Sequence, residues 1–262
     1  MRPRHHATNK PAPRESRGGA LRLFGFHAVA AAWQNPERRI IRALFTSGGK
    51  KQMEAAMAKA KSAGIQRPRE EMVEGHAIDK LVPRDAVHQG ILIECEELPD
   101  VALDDVLNEE AGAGFVVVLD QVTDPHNVGA VMRSACAFGA KAVIVTERHA
   151  AASTGTLAKS ASGALDNIAL IRVSNLARAL EELKNANYWC IGLAEEGQSN
   201  LHEIKLPARV ALVLGNEGEG LRRLTRENCD EMARLPTGGP VGSLNVSNAA
   251  AVAIYEIARA RN

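Results

Sequence analysis

The chain has 262 residues, 32 Lys and Arg against 31 Asp and Glu, and a net charge of +1. Hydrophobic residues make up 45% and charged residues 24%, ordinary globular usage that supplies a core for one large domain or two ordinary ones. The longest apolar runs, such as Phe115 to Leu119, are about five residues against the roughly 20 of a membrane span, and the start lacks the apolar stretch of a secretory signal.

Residues 1–20 hold three Pro, two Gly and five Lys or Arg, with almost nothing apolar after Met1, and predict a disordered basic tail. His5 and His6 read as part of that tail, not as metal ligands. From Leu21 the chain becomes compact. An Ala-rich stretch over 28–34 predicts a helix ended by Asn35-Pro36. Ile40 to Phe45 reads as a strand, 46–49 as a turn, and 50–63 as a Lys-rich helix stopped by Gly64. A strand-like patch at 71–74, a helix beginning at Ile78 and a strand over 90–94 complete a small α/β unit, assigned to 21–95.

Residues 94–114 contain eight acids and no base and end in Ala111-Gly112-Ala113-Gly114; we assign 96–114 as an acidic linker holding one short helix. Beyond it, from 115 to 262, the pattern alternates strand and helix. Phe115 to Leu119, 142–145, 189–193 and 210–214 read as strands. Helices are predicted over 128–138, 153–163, 175–185 and 247–260. Continuous apolar strands alternating with helices predict a mostly parallel sheet covered on both faces, with the chemistry in loops at the carboxyl ends of its strands.

Charge is unevenly placed. Residues 1–66 carry 13 Lys or Arg and 3 Asp or Glu, net +10; residues 67–114 carry 4 and 13, net −9; the remainder carries 15 of each. A basic front is a candidate polyanion contact. Charge alone leaves equally open a disordered tail plus a solvated helix face. Cys95, Cys136, Cys190 and Cys229 lie at least 39 residues apart, which excludes CxxC motifs and fits free thiols in a reducing cytoplasm.

Three loops of the back region stand out. The first, 120–133, follows a strand directly; Asn127 reads as the cap of the next helix, with Arg133 inside it. Arg133 offers a planar fork of donors to a phosphate or ligand oxygen, although on local chemistry alone a cap plus a solvated helix Arg is the better explanation. The second runs from a strand into Gly215, Gly218 and Gly220 with Glu217 and Glu219 between them. It is neither GxGxxG nor a Walker loop, and its acids suit a ribose hydroxyl, an amine or a cation better than a phosphate. The third, 235–249, places Ser243, Asn245, Ser247 and Asn248 ahead of the last helix, more polar groups than capping needs.

Together these loops resemble the motifs of the SpoU family of RNA ribose 2′-O-methyltransferases. Asn127, Gly129 and Arg133 match Asn-x-Gly-x-x-x-Arg, Leu214 to Gly220 match Leu-Gly-x-Glu-Gly-x-Gly, and Ser243 to Ser247 match Ser-Leu-Asn-Val-Ser, in the family's order. Gly25-Phe26-His27 and His88-Gln89-Gly90-Ile91 are similar to the front L30e-like substrate-binding domain of the branch that modifies ribosomal RNA. Gly242 and Leu235-Pro236-Thr237 depart from the residues frequent in the family.

The resemblance implies a trefoil-knotted methyltransferase domain that takes S-adenosylmethionine, acts as a cytoplasmic homodimer with sites at the subunit interface, and uses no metal. It implies that the knot involves the second and third loops, that Leu214, Gly215, Gly218, Leu235 and Leu244 hold the cofactor, and that Asn127, Arg133, Glu217, Ser243 and Asn245 serve the chemistry. The implied substrate is a guanosine ribose of 23S rRNA. A tRNA ribose and a catalytically silent RNA-binding role in ribosome assembly are the alternatives. Lys50, Lys51, Lys59, Lys61, Arg38, Arg39 and Arg42 are then expected to hold RNA backbone.

Overall fold

The computed structural model describes residues 20–108, 112–147, 155–240 and 243–261. The expected tail, apart from residue 20, the ends of two expected segments (Ala111 and 153–154) and Gly242 lie outside them.

The front unit contains β1 (Leu21–Phe24), α1 (Phe26–Gln34), β2 (Ile40–Phe45), α2 (Ser47–Ser62), β3 (Glu71–Met72), α3 (Gly75–Asp79) and β4 (Ile91–Cys95). Its sheet has the order β1-β4-β2-β3, with β4 antiparallel to both neighbours and β3 parallel to β2. The expected turn at 46–49 is instead the start of α2: Thr46 caps it, its hydroxyl accepting from the Gly49 amide at 3.1 Å. Gly49 sits there because a Cβ would fall 2.2 Å from the Gly90 carbonyl oxygen.

The front motifs have structural work. The cap position of α1 is Gly25, which has no side chain, and Gln89 substitutes from a distant loop by accepting from the Phe26 amide at 2.8 Å. Gln89 does so with φ of 57°. His88 Nδ1 accepts from the Gly90 amide at 3.0 Å while Nε2 faces the Asp79 carboxylate at 2.9 Å.

The back sheet is seven-stranded and wholly parallel, in the order β7-β6-β5-β10-β8-β11-β9. Its strands are β5 (Gly114–Asp120), β6 (Ala142–Thr146), β7 (Ala169–Val173), β8 (Trp189–Leu193), β9 (Ser199–Asn200), β10 (Arg209–Gly215) and β11 (Glu231–Arg234). Alternation along β5 divides the core: Val116 and Val118 face one side, Phe115, Val117 and Leu119 the other. The first side packs α4 (Leu103–Leu107) and α7 (Leu176–Asn185). Leu176, Leu180 and Leu183 of α7 share one stripe, each worth about 1.5–3 kcal/mol of burial. The second side packs α5 (Pro125–Ala137), α6 (Gly155–Ala161) and α9 (Val246–Arg259); α8 (Arg223–Glu227) follows the loop after β10. Cys95 and Cys190 are buried free thiols that burial pushes up to about 12.

The apolar cluster under α5 and α6 runs without a break into the front unit, through Val29 and Trp33 of α1. Arg38 and Asp166 seal this junction as an ion pair at 2.8 Å, both side chains at most 2% exposed, and Asn35 donates to the same carboxylate at 3.2 Å. Lys159 of α6 reaches the Val87 carbonyl at 2.8 Å, and its partial burial lowers its ammonium pKa. Arg38, expected to meet RNA, is therefore buried structure, held by Asp166 of the 164–166 turn. Arg39 is paired with Glu96, Arg42 with Glu71 and Lys50 with Glu70. Lys51, Lys59 and Lys61 of α2 remain exposed and unpaired among the described residues.

Candidate active site

The strand order reverses direction of growth between β5 and β10, and the loops following these two strands therefore diverge from a common crevice. A cavity of about 1090 Å³ opens on the other side of β10, toward β8 and β11, and no residue of the loop after β5 lines it. Leu214, Gly215, Glu217, Gly218, Leu235, Ser243, Leu244 and Asn245 all line it, eight of the ten residues expected at the site. The cavity is lined by residues from 193–200, 214–220, 234–237 and 243–249, together with Arg226 of α8.

The glycine loop is closed on itself. Gly220 donates its amide to the Asn216 carbonyl at 3.2 Å, and the Asn216 side chain accepts from the Glu219 amide at 3.2 Å. Gly218 and Gly220 have φ of 99° and 65°, where side chains are strained. A Cβ on Gly215 would meet the Gly220 carbonyl carbon at 2.2 Å. Arg222 anchors the loop to the end of β5: its amide and guanidinium both bind Asp120, at 3.0 and 2.7 Å. Sequence reasoning did not single out this pair; the signal was a carboxylate closing a fully apolar strand.

The third loop meets the other two through Asn245. Its Oδ1 accepts from the Ser247 amide at 2.9 Å and from the Ser247 hydroxyl at 2.5 Å, which makes it the cap of α9. That backbone contact fixes the amide's orientation and turns Nδ2 toward the site. Nδ2 donates to Asn127 Oδ1 at 3.3 Å and to Glu217 Oε1. Glu217 Oε1 also accepts from the Val246 amide at 3.1 Å. Asn127, Glu217 and Asn245 are thus one network joining all three loops.

One expectation needs correction. Asn127 is not the cap of α5; Asp124 is, accepting from the His126 amide at 2.9 Å, with Pro125 as the first helical residue. Pro is preorganised for that position, so the cap lies one residue before it. Arg133 does not line the cavity of its own chain. It stands exposed on α5 and has no hydrogen-bonding or ionic partner among the described residues. The motif glycine between them, Gly129, is a packing residue, because a Cβ there would lie 2.5 Å from that of Ser160 on α6.

The lining suits a nucleoside with a cationic end. Leu193, Leu214, Leu235, Leu244 and Val246 offer apolar surface. Glu196 is engaged with Arg226, and its own backbone amide together with that guanidinium holds its carboxyl below the usual range. The Glu195 and Glu219 carboxylates have no partner among the described residues and are available to a cation. Among the described residues no group of three or more His, Cys, Asp or Glu could hold a metal ion, and no helix is long and apolar enough to cross a membrane.

Comparison with known proteins matches residues 114–255 to the SpoU rRNA methylase family, and residues 22–101 to an RNA 2′-O ribose methyltransferase substrate-binding model. The chain belongs to the SpoU methylase family. Among its relatives is the 23S rRNA (guanosine-2′-O-)-methyltransferase RlmB of Yersinia pestis, 39% identical over 242 residues, covering 91% of this chain and 97% of the relative. The RlmB of Pasteurella multocida is 40% identical over 244 residues, 91% and 98% of the two chains. The SpoU methyltransferase AviRb of Streptomyces viridochromogenes, solved in complex with AdoMet, superposes with a TM-score of 0.75 at 23% identity over 93% of this chain and 91% of its own, a shared fold. As a SpoU methylase, the protein carries two motif loops in the cavity wall and a third joined to them through the Asn127–Asn245 contact.

Proposed function

We propose that the protein transfers a methyl group from S-adenosylmethionine to the ribose 2′-OH of a guanosine in 23S rRNA. The observation that carries this reading is the Asn127–Asn245–Glu217 network, which ties three family motif loops together beside the cavity. Relatives that share about 39% identity along nine tenths of both chains are guanosine-2′-O-methyltransferases of 23S rRNA, which favours rRNA over tRNA.

Leu214, Gly215, Gly218, Leu235 and Leu244 would hold the cofactor, apolar side chains against its base and backbone groups against its polar atoms. When bound, S-adenosylmethionine supplies an electrophilic methyl on a sulfonium. The residues of this chain then have to orient the ribose and stabilise an oxygen that loses its proton. Asn127 Nδ2 has no partner among the described residues while its Oδ1 is held, so it can present a donor to the RNA. Glu217 is held by Asn245 and the α9 backbone and shapes the site without moving a proton. Ser243 offers a hydroxyl at the rim. Arg133 stabilises the forming alkoxide, since its guanidinium is too weak an acid to act as a base.

Arg133 lies off its own cavity, which is consistent with a homodimer whose sites are composite. Exposed Val252 and Tyr255 of α9, with Phe138 stacked edge-on against Tyr255 at 5.7 Å, give an apolar face suited to that contact. The reading includes the family's trefoil knot, involving the second and third loops, a unit at 21–95 that docks the RNA, and action in the cytoplasm.

The test is transfer of labelled methyl from S-adenosylmethionine to separate rRNA and tRNA pools, followed by mapping of the modified nucleotide. Label on one guanosine ribose of 23S rRNA is the expected result. Label on tRNA alone would replace the substrate, and no label on either pool would favour the silent RNA-binding role.

A further inference from the structure

His126 stands exposed in the first turn of α5, one residue before Asn127, and none of the roles above uses it. Its Nδ1 shares a hydrogen bond with the Ser160 hydroxyl of α6 at 3.1 Å. Ser160 is itself well fixed. The Gly129 contact presses α5 against it, and the preceding residue, Lys159, ties α6 to the Val87 carbonyl of the front unit at 2.8 Å. The imidazole therefore has a set orientation. Its Nε2, on the far side of the ring, has no partner among the described residues. With the Ser160 hydroxyl donating to Nδ1, the ring proton resides on Nε2, and the free atom is a donor.

His126 and Arg133 are seven residues apart on one helix. Seven steps of 100° return within about 20° of the same direction and advance ~10.5 Å, so the two side chains leave the same face two turns apart. The residue between them on that face is Ala130, too small to fill the interval. Two donors separated by a shallow gap are suited to neighbouring oxygens of a polyanionic strand and poorly suited to a compact small molecule. The Asp124 carboxylate, the nearest acid in sequence, is occupied in capping the helix.

We propose that His126, oriented by Ser160, is a substrate-positioning residue that donates from Nε2 to the ribose–phosphate backbone of the RNA beside the target nucleotide, in line with Arg133. This inference rests on the methyl-transfer reading, and its test separates the two. RNA affinity is measured by fluorescence anisotropy with labelled overlapping fragments of 23S rRNA, and kcat and KM by labelled-methyl transfer, for H126A, H126Q and S160A. H126A is expected to weaken RNA binding and raise KM about tenfold, with kcat and S-adenosylmethionine affinity within twofold of the unaltered protein. H126Q, whose amide can replace the Nε2 donor, is expected to recover most of that loss, and S160A to show a smaller one. Unchanged RNA affinity in H126A overturns the proposal, as does a fall in kcat at constant KM. Equal losses in H126A and H126Q with a lowered melting temperature assign His126 to packing and also overturn it. Absence of methyl transfer by the unaltered protein would sink the proposed function alone, because the anisotropy arm still decides the role of His126.

Discussion

Asp120 and Arg222, 102 residues apart, are bound twice: the carboxylate accepts from the Arg222 amide at 3.0 Å and from its guanidinium at 2.7 Å. Asp120 is fully buried at the end of β5, whereas the Arg222 side chain is 43% exposed. The pair closes the glycine loop onto the crevice. Asp120→Ala is expected to cost about 1–3 kcal/mol, the range for losing hydrogen bonds to a buried charged group. That corresponds to a fall of several degrees in melting temperature. S-adenosylmethionine affinity, read by calorimetry, should fall in parallel, and Asp120→Asn should lie between the two because it keeps an acceptor for the amide.

Arg133→Ala should leave cofactor affinity within twofold, since the residue does not line the cavity. kcat should drop by about 10²–10³-fold, the cost of removing one transition-state donor. Arg133→Lys should restore little, because a single ammonium lacks the planar fork. Calorimetry checks the cofactor affinity, and single-turnover kinetics with saturating cofactor check the rates.

Asp166→Ala leaves the Arg38 guanidinium buried without its anion. The expected cost is about 3–5 kcal/mol, measured by urea unfolding. Arg38→Met combined with Asp166→Leu should recover part of it, because the surrounding cluster is apolar while Asn35 loses its carboxylate acceptor and keeps only the residue-166 carbonyl.

The cations left for RNA are fewer than composition suggests. Replacing Lys51, Lys59 and Lys61 together by Glu should weaken RNA binding by at least tenfold at moderate salt. Its salt dependence should flatten by about one unit of slope for each phosphate no longer neutralised. Cofactor affinity should not change, as α2 lies outside the cavity lining. Replacing Arg39 and Arg42, already paired with Glu96 and Glu71, should do less.

The central strands were legible because they are buried on both faces: 115–119, 142–145 and 210–214 read as apolar runs and fold as β5, β6 and β10. β1, β7 and β11 were not recognised. Leu21–Phe24 and Ala169–Val173 each contain an exposed or half-exposed Arg that interrupts the run. Glu231–Arg234 is a four-residue strand with a charge at each end, whose extended form is set by β8 beside it, not by its own propensity. Gly48-Gly49 disguised the start of α2, because the demand for glycine comes from Gly90, a neighbour invisible at a separation of 41 residues. At the site, the three loops and their polar residues were readable, since more side chains were present than caps could use. Their pairing was not. Neither the double use of Asn245 nor the burial of Arg38 has any local signature, and both follow only from which loops the sheet brings together.

Asn245 holds the amide of Ser247 with one atom and the other two loops with the next. The first turn of the final helix and the wall of the cavity therefore rise and fall as a unit. Fraying at that end of α9 removes a wall of the site, and a ligand that fastens the wall protects the amides of the helix. Hydrogen exchange at 247–249 is thus a gauge of cavity occupancy, readable in the backbone of a helix whose remaining turns lie outside the site.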